Sequence, residues 1–370
     1  MPHMNKTSHS PRFIKAGLKT LATICLIGGQ SIAADYYHLG GTAATRMDGA
    51  QQYSTTDGST TPATINPGAS DNLFFYNSTV TGSANMNLET GPYPLSFNSM
   101  TFRNNAGTTD LNRSSYNQYR DRENATVVSI GKGGITMDAS AGAVTIGGKD
   151  QRVIIGAVAD FTITNNSSKD LTFKRVFDGR TNNTTHTITV TGSGAGNTVF
   201  DEGIKMGAHK RNLAMNINTS GTGVVKFEGK NTYTGPTNVT AGKLFINGDA
   251  SDATGLLSVS ADATLGGIGP IGSDVAIENN GCLEFHLSTS PDSRYPMSLA
   301  ASRTLTFAGN SVLTITSQEG ATIGKYKLIT AQGGILGKAP ATLKLPDGWK
   351  GKASIVGNDL VLHITTVGKP

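Results

Sequence analysis

The carboxylates that could cleave a glycosidic bond are scattered along the chain and form no recognisable motif. Glycoside hydrolysis needs two carboxyl groups about 5 to 9.5 Å apart, a distance that acids on neighbouring coils of a stacked fold could meet. The candidate acids are Asp160, Asp170, Asp178, Asp201 and Glu202. They stand in turn-like sequence, without an Asp-Asp pair or a Gly-His-Gly run. We therefore expect a non-catalytic protein, with a polysaccharide lyase or glycoside hydrolase as the alternative.

No cofactor or metal is predicted by the remaining reactive residues. The histidines beyond the N-terminal segment share no metal-ligand spacing; they are His38, His186, His209, His286 and His363. The glycines of 267–272 match a dinucleotide-binding pattern, but that chemistry requires a helix to follow, and the sequence predicts none. Cys282 is the one cysteine after that segment, so we expect a packed, inert thiol and no internal disulfide.

Two insertions carry the residue types that bind partners. Tyr and Arg side chains can stack on sugar rings and donate hydrogen bonds to hydroxyl or acidic groups, and loops that leave a regular scaffold are where binding is usually found. The two insertions span 112–124 and 288–297, and their candidate binding residues are Tyr116, Tyr119, Arg120, Arg122, Arg294 and Tyr295. A third insertion, 176–186, contains Phe177 and Arg180. The predicted partners are glycans or surface proteins, with the loop 116–122 as the first choice of contact site and a polar loop shielding the fold as the alternative.

The N-terminal segment 1–33 has the features of a secretory signal peptide. Four basic residues precede a short apolar stretch at 21–27, and Ser31 and Ala33 place small residues where signal peptidase reads. Since this segment holds no acid, its removal lowers the net charge from +5 to +1. That balance gives no support for nucleic-acid or anionic-membrane binding. We expect an exported protein, extracellular or on the outer cell surface, with the periplasm also open.

The elements that must position these residues are short strands. The chain contains 46 Gly and only 15% charged residues, and Gly, Thr, Asn, Ser and Val favour strands and tight turns over helices. Runs with alternating apolar side chains predict strands with one buried face; they lie at 143–146, 171–173, 225–227, 244–246, 283–287, 305–307, 313–315 and 360–364.

Two architectures fit such strands: an antiparallel sandwich or barrel, and a parallel β-helix. The strands are short, the pattern continues without a change of composition, and Asn-Asn pairs recur at turns, where stacked Asn side chains can form ladders. These features favour the β-helix. At about 20 residues per coil, the chain would form roughly 15 coils.

The segment 227–248 closely resembles the autotransporter-associated β-strand repeat. It contains an Asn-Thr-Tyr-Thr-Gly turn at 231–235, a Thr-x-Val strand beginning at Thr237, an Ala-Gly turn and a second apolar strand ending Asn-Gly. The resemblance implies a right-handed parallel β-helix of the passenger type. Unlike a complete autotransporter, the chain shows no C-terminal translocator barrel, so we do not expect self-export.

These observations predict an all-β protein with four segments. They are a signal peptide at 1–33, an N-terminal polar cover at 34–65, a β-helix at 66–300 that contains the repeat, and C-terminal coils with a cap at 301–370. The predicted role is structural or adhesive.

Overall fold

The protein is built from short strands. The computed structural model describes residues 33–39, 45–46, 52–59, 61–76, 86–90, 95–113, 126–147, 153–174, 177–179, 185–204, 213–287, 297–317 and 321–368. Across these ranges the regular elements are strands, with no α-helix and hence no helix that could cross a membrane. Ala33–Pro370 forms one unit, to which the following description applies. The predicted signal peptide lies outside the described residues except for Ala33, and remains a prediction.

The strands are two to twelve residues long. The first sixteen are β1 (Asp35–His38), β2 (Thr45–Arg46), β3 (Tyr53–Ser54), β4 (Asn72–Phe75), β5 (Met86–Thr90), β6 (Leu95–Phe102), β7 (Thr109–Arg113), β8 (Thr126–Met137), β9 (Val144–Ile146), β10 (Val153–Ala157), β11 (Phe161–Asn165), β12 (Leu171–Phe173), β13 (Phe177–Gly179), β14 (His186–Gly192), β15 (Thr198–Phe200) and β16 (Leu213–Thr219). The others are β17 (Val224–Phe227), β18 (Thr237–Ala241), β19 (Lys243–Ile246), β20 (Leu257–Val259), β21 (Thr264–Gly267), β22 (Pro270–Ile271), β23 (Val275–Ile277), β24 (Cys282–Leu287), β25 (Met297–Leu299), β26 (Leu305–Phe307), β27 (Val312–Ser317), β28 (Gly324–Ala331), β29 (Ile335–Leu336), β30 (Thr342–Lys344), β31 (Lys350–Val356) and β32 (Asp359–Thr366).

Two long sheets and one short sheet organise these strands. The first long sheet has the order β29-β26-β23-β20-β18-β16-β14-β11-β8-β6-β4-β1-β3, with β10 and β13 beside it. The second has the order β2-β5-β7-β9-β12-β15-β17-β19-β21-β24-β27-β30, and the short sheet has the order β22-β25-β28-β32-β31. Within the long sheets every pair except β1–β3 is parallel, as the register of the described strands shows. The chain is a parallel β-helix, as predicted, and all eight predicted strands are present.

The length of a coil varies along the β-helix. In the middle, β11 pairs with β14 and β14 with β16, and the hydrogen bond from Asn197 to Asp170 on the neighbouring coil spans 27 residues. Further along the coils are shorter, and the bond from Ser258 to Asn238, between the paired strands β20 and β18, spans 20 residues. The expected coil of about 20 residues therefore holds only for this later stretch. Between β23 and β26 the step is longer again, since the hydrogen bond from Thr304 to the neighbouring coil spans 30 residues.

The core consists of inward side chains stacked in register. In the second long sheet, Phe173 stacks on Phe200 with ring centroids 5.2 Å apart, and Phe200 meets Phe227 edge to face at 5.4 Å. All three are fully buried, and each ring contributes about 2 to 3 kcal/mol by leaving water. In the first long sheet, β-branched residues fill the matching position, for example Val190 beside Ile217. Alternation of side chains along each strand gives this continuous apolar interior.

Asparagine side chains at the corners join successive coils, although the partners of Asn165 and Asn197 are backbone groups and an aspartate. Asn197 donates from its side chain and backbone to Asp170 Oδ1, at 3.1 and 2.7 Å, and accepts a hydrogen bond from the backbone of Val224 at 3.1 Å. Asn165 is buried, and its Nδ2 lies 3.1 to 3.2 Å from three backbone carbonyl oxygens. These bonds satisfy corner groups that the strand ladder does not reach.

The repeat-like segment has the local structure that its sequence predicts. Strand β17 ends at Phe227, the Asn-Thr-Tyr-Thr-Gly turn follows, and β18 and β19 flank Gly242, which adopts a φ of 78° that favours glycine. Tyr233 is buried in the corner, where its hydroxyl lies 2.6 Å from Thr237 Oγ1. Burial raises the pKa of Tyr233 to about 12, although the hydrogen bond with Thr237 acts in the opposite direction. The hydroxyl is therefore a neutral partner at physiological pH.

The two ends depart from the parallel pattern. At the N-terminal end β1 pairs parallel with β4 and antiparallel with β3, and His38 and Tyr53 are buried there. At the C-terminal end β32 lies antiparallel between β28 and β31. The strand predicted at 360–364 is thus present, but it closes an antiparallel sheet and does not add another parallel coil. The predicted domain boundaries remain predictions.

Candidate functional site

The predicted binding residues lie outside the described part of the chain. Tyr116, Tyr119, Arg120 and Arg122 fall in the connection between β7, in the second long sheet, and β8, in the first. Arg294 and Tyr295 fall in the connection between β24 and β25. Their role as contact residues stays a prediction.

Three of the acids considered for catalysis link neighbouring coils, and the other two lie in a turn and in a strand. Three of them bridge neighbouring coils: Asp160 accepts from the backbone of Thr187 at 2.8 Å, Asp170 binds Asn197, and Asp201 pairs with Lys174 Nζ at 2.7 Å. Glu202 lies in the turn after β15, and Asp178 lies in β13. In these positions the three bridging carboxylates align coils through hydrogen bonds or a salt bridge.

The histidines occupy separate surroundings. His38 is buried, and burial lowers its pKa to about 4, so the ring is neutral at pH 7. His286 and His363 are exposed on outward strand positions. Within the described ranges, no group of three or more His, Cys, Asp or Glu side chains could hold a metal ion.

A shallow groove crosses the outward side of the second long sheet. Its volume is about 250 Å³, and its walls include Lys243, Cys282, Glu284 and Thr314. Lys243 Nζ lies 2.7 Å from Glu284 Oε2, and the Glu284 side chain is 8% exposed. Cys282 Sγ lies 3.2 Å from Thr314 Oγ1, and the thiol is half-buried on the outward face, where the sequence had predicted a packed side chain. A hydroxyl is not a base that would activate this thiol.

The outward side of the first long sheet presents a regular array, which we call the polar face. Its members share one property: each is a short polar side chain at an outward strand position and half-buried or exposed. They are Thr162, Thr164, Thr189, Thr191, Asn216, Asn218, Asn238, Thr240 and Ser258. The register aligns them from coil to coil, with Thr189 beside Asn216 and Asn216 beside Asn238.

Hydrogen bonds between coils fix the polar face. Thr191 Oγ1 donates to the carbonyl oxygen of Asn218 at 2.8 Å, and Ser258 Oγ donates to Asn238 Oδ1 at 2.8 Å. Neighbouring coils are about 4.8 Å apart, so the face offers donors and acceptors at a constant spacing. Such an array can form many parallel hydrogen bonds with a hydroxyl-rich surface, each weak on its own.

A Tyr–Arg cluster that the sequence did not predict lies at the N-terminal end. The rings of Tyr37 and Phe74 stack with centroids 4.9 Å apart, and the Arg103 guanidinium lies 4.8 Å from the centre of Phe74. Arg103 also pairs with Asp57 at 3.0 Å. Burial, followed by the nearby Asp35 carboxylate, raises the pKa of Tyr37. The alternation in 72–75 could have placed Phe74 outward, but no local pattern links it to Tyr37 and Arg103.

Comparison with known proteins identifies one short similarity. No protein family profile matches the chain, and no solved structure matches it. Over 70 residues the chain is 46% identical to "Adhesin BmaC autotransporter" of Brucella suis biovar 1 (strain 1330). The matched part is 19% of this chain and 2% of the adhesin, so the chain spans only a small fraction of that protein. The match supports an autotransporter-like relationship, and the specific repeat type remains a proposal.

Proposed function

We propose that this protein is an exported, non-catalytic β-helix with a structural or adhesive role at the cell surface, where it contacts glycans or proteins. The observation that carries the proposal is the polar face, which repeats the same kind of side chain at the same outward position on at least five successive strands. The short similarity to an autotransporter adhesin supports the same role. The signal-peptide-like residues 1–33 support export.

Repetition is what would give such a surface useful affinity. A single exposed hydrogen bond contributes only about 0.5 to 1.5 kcal/mol, whereas linked weak contacts gain from a high effective concentration. The core and the corner bonds hold the array rigid, which lowers the entropy lost on binding. Function would then reside in the outward face, and the interior would serve to keep its spacing.

The two Tyr- and Arg-containing insertions are proposed as additional contacts. Tyr116, Tyr119, Arg120 and Arg122 form the first, and Arg294 with Tyr295 the second. Each stands between strands of different sheets, at a place where the coil connection is long enough to extend from the scaffold.

The polar face is tested with matched threonine substitutions. Thr189→Val with Thr191→Val removes two hydroxyls from the first long sheet while keeping β-branched side chains. Thr145→Val with Thr172→Val makes the same change on outward positions of the second long sheet. On immobilised mucin and a glycan array, we expect the first pair to weaken binding about threefold to tenfold, since up to two hydrogen bonds are lost, and the second pair to leave it unchanged. Equal binding by all three proteins would exclude the polar face as the contact.

The insertions need a separate variant. Tyr116→Ala with Tyr119→Ala should reduce binding if the first insertion contacts the ligand, and leave it unchanged if only the polar face does.

Incubation of the unaltered protein with a polysaccharide panel tests the alternative, enzymatic function. Release of reducing ends or unsaturated sugars that is lost in Asp201→Asn or Asp170→Asn would replace the adhesive proposal with an enzymatic one. Protease treatment of intact cells would then report whether the protein faces outward.

A further inference from the structure

The charge of the chain is strongly segregated, although its sum is small. Residues 321–370 contain seven lysines and two aspartates, a net charge of +5. The whole chain has 31 basic and 26 acidic residues, and four of the basic residues lie in 1–33. Without that segment and without 321–370, residues 34–320 contain 20 basic and 24 acidic residues, a net charge of −4. The value of +1 for the chain without its leader therefore conceals an acidic β-helix with a basic C-terminal end.

The fold gathers this positive charge on one face. Strands β28, β32 and β31 form the antiparallel end of the short sheet, and the outward side of these three strands is here called the basic face. Lys325 lies directly opposite His363, and His363 lies directly opposite Lys352, so three basic side chains form a row across the strands. All three are exposed. At about 4.8 Å between strands, the row is roughly 10 Å long.

Two further lysines widen the basic face. Lys327 and Lys350 also point outward and are exposed. Lys327 Nζ lies 2.8 Å from Asp359 Oδ2. Among the described residues of these strands, Asp359 is the acidic residue on the outward side, and Asp347 lies in the turn before β31. Apart from the Lys327–Asp359 pair, the outward charge is positive. Like charges at neighbouring strand positions destabilise a sheet, so an array of this kind indicates an anionic partner.

We propose that the basic face binds an acidic polysaccharide, with Lys325, Lys350 and Lys352 contacting its carboxylate or sulfate groups. A linear row of cations suits an extended chain with repeated anionic groups. The outward positions of β28, β31 and β32 lack the Trp, Phe or Leu side chains that anchor proteins in a lipid surface, and they carry no Trp, Tyr or Phe ring on which nucleic-acid bases could stack. This goes beyond the proposed adhesive function, because it uses a different surface and a charged ligand.

Charge-matched variants of the full chain test the proposal. Lys325→Gln with Lys352→Gln removes two charges from the basic face. Lys132→Gln with Lys230→Gln removes two exposed charges from strand β8 and from the corner after β17, and so has the same net charge. Binding to heparin (sulfated) and polygalacturonate (carboxylated) is measured by biolayer interferometry at 50 and 300 mM NaCl. Anionic phospholipid vesicles and double-stranded DNA are the comparison ligands.

We expect the unaltered protein to bind one or both polysaccharides at 50 mM NaCl and to bind them much more weakly at 300 mM, since salt screens exposed charges. Lys325→Gln with Lys352→Gln should raise the Kd about tenfold, and the control pair should leave it within about twofold. Absence of binding to both polysaccharides, equal weakening by the two pairs, or tighter binding to vesicles or DNA would each overturn the proposal. Contact with neutral glycans through the polar face would survive all three results, so the two proposals fail separately.

Discussion

The middle coils of the β-helix and its two ends differ in how the edges of their strands are paired. In the middle, each strand has a parallel neighbour on both sides, and the side chains that link the coils repeat at a step of 27 residues, as in the bond from Asn197 to Asp170. At the ends a neighbour is missing, and an exposed strand edge favours unwanted pairing. There the chain uses antiparallel strands, a buried histidine and a lysine-rich face.

The difference shows that repetition of similar coils stabilises the middle of the β-helix but does not pair the strand edges at its ends. Repetition stabilises the middle because inward side chains stack, as Phe173, Phe200 and Phe227 do, and because neighbouring strands pair along their length. The same repetition would leave the last coil open. The ends therefore use features that the other coils do not repeat, such as the buried His38 at one end and the antiparallel strands β31 and β32 at the other.

The largest effect is expected from Phe200→Ala in the middle coils. Phe200 is buried between Phe173 and Phe227, so its removal loses about 3 to 5 kcal/mol of stability through lost burial and a cavity. Urea unfolding followed by circular dichroism measures this loss. The chain has one tryptophan, Trp349, which lies beside β31 in the C-terminal end.

Fluorescence of Trp349 then distinguishes two kinds of unfolding. If the β-helix unfolds as one unit, the fluorescence midpoint shifts as much as the circular dichroism midpoint. If coils unfold separately, as stacked repeats can, the fluorescence midpoint stays near that of the unaltered protein. A loss below about 1 kcal/mol would contradict the stacked aromatic core.

The second effect concerns the N-terminal end and acid pH. Burial lowers the pKa of His38 to about 4, whereas a histidine in the unfolded chain titrates near 6.5. Between these values the unfolded state binds more protons, so stability is complete above pH 6.5 and falls as the pH decreases towards 4, by about 3 kcal/mol. Hydrogen exchange of β1 and β4 at pH 7, 5.5 and 4 measures this local loss.

His38→Phe is the matched variant, because it keeps an aromatic ring beside Tyr53, Phe75 and Tyr76 and cannot gain a proton. Its exchange should depend less on pH than that of the unaltered protein. The same pH dependence in both proteins would assign the acid sensitivity to other groups.

A smaller effect is expected from Tyr233→Phe in the repeat-like segment. The change leaves the buried hydroxyl of Thr237 without the partner that now lies 2.6 Å away, which costs about 1 to 2 kcal/mol. Adding Thr237→Val removes both polar groups and should restore most of the loss. Urea unfolding of the two single variants and the double variant gives the coupling energy, and simple additivity of the single effects would contradict the proposed pairing.

The same contrast explains how far sequence could predict the structure. Strands such as Leu171–Phe173 and Leu305–Phe307 were predicted to the residue, because alternation and the flanking turns are local signals. Strand β32 was found, but its antiparallel pairing was not, since alternation is the same in both pairings. The cluster of Tyr37, Phe74 and Arg103 joins residues far apart in sequence, and the row of Lys325, His363 and Lys352 exists only because β32 lies between β28 and β31.

The smallest effect tests whether the basic face costs stability. Lys325→Gln with Lys352→Gln relieves repulsion among exposed lysines on β28 and β31, which carry a Lys-x-Lys pattern each. We expect the free energy of unfolding to rise by about 0.2 to 0.5 kcal/mol at 20 mM NaCl. At 0.5 M NaCl the difference should vanish, because the Debye length is then shorter than the spacing of the charges. Trp349 fluorescence during urea unfolding measures it, and a loss of stability at low salt would mean that the lysine stems pack on the sheet and that the face is partly a structural cap.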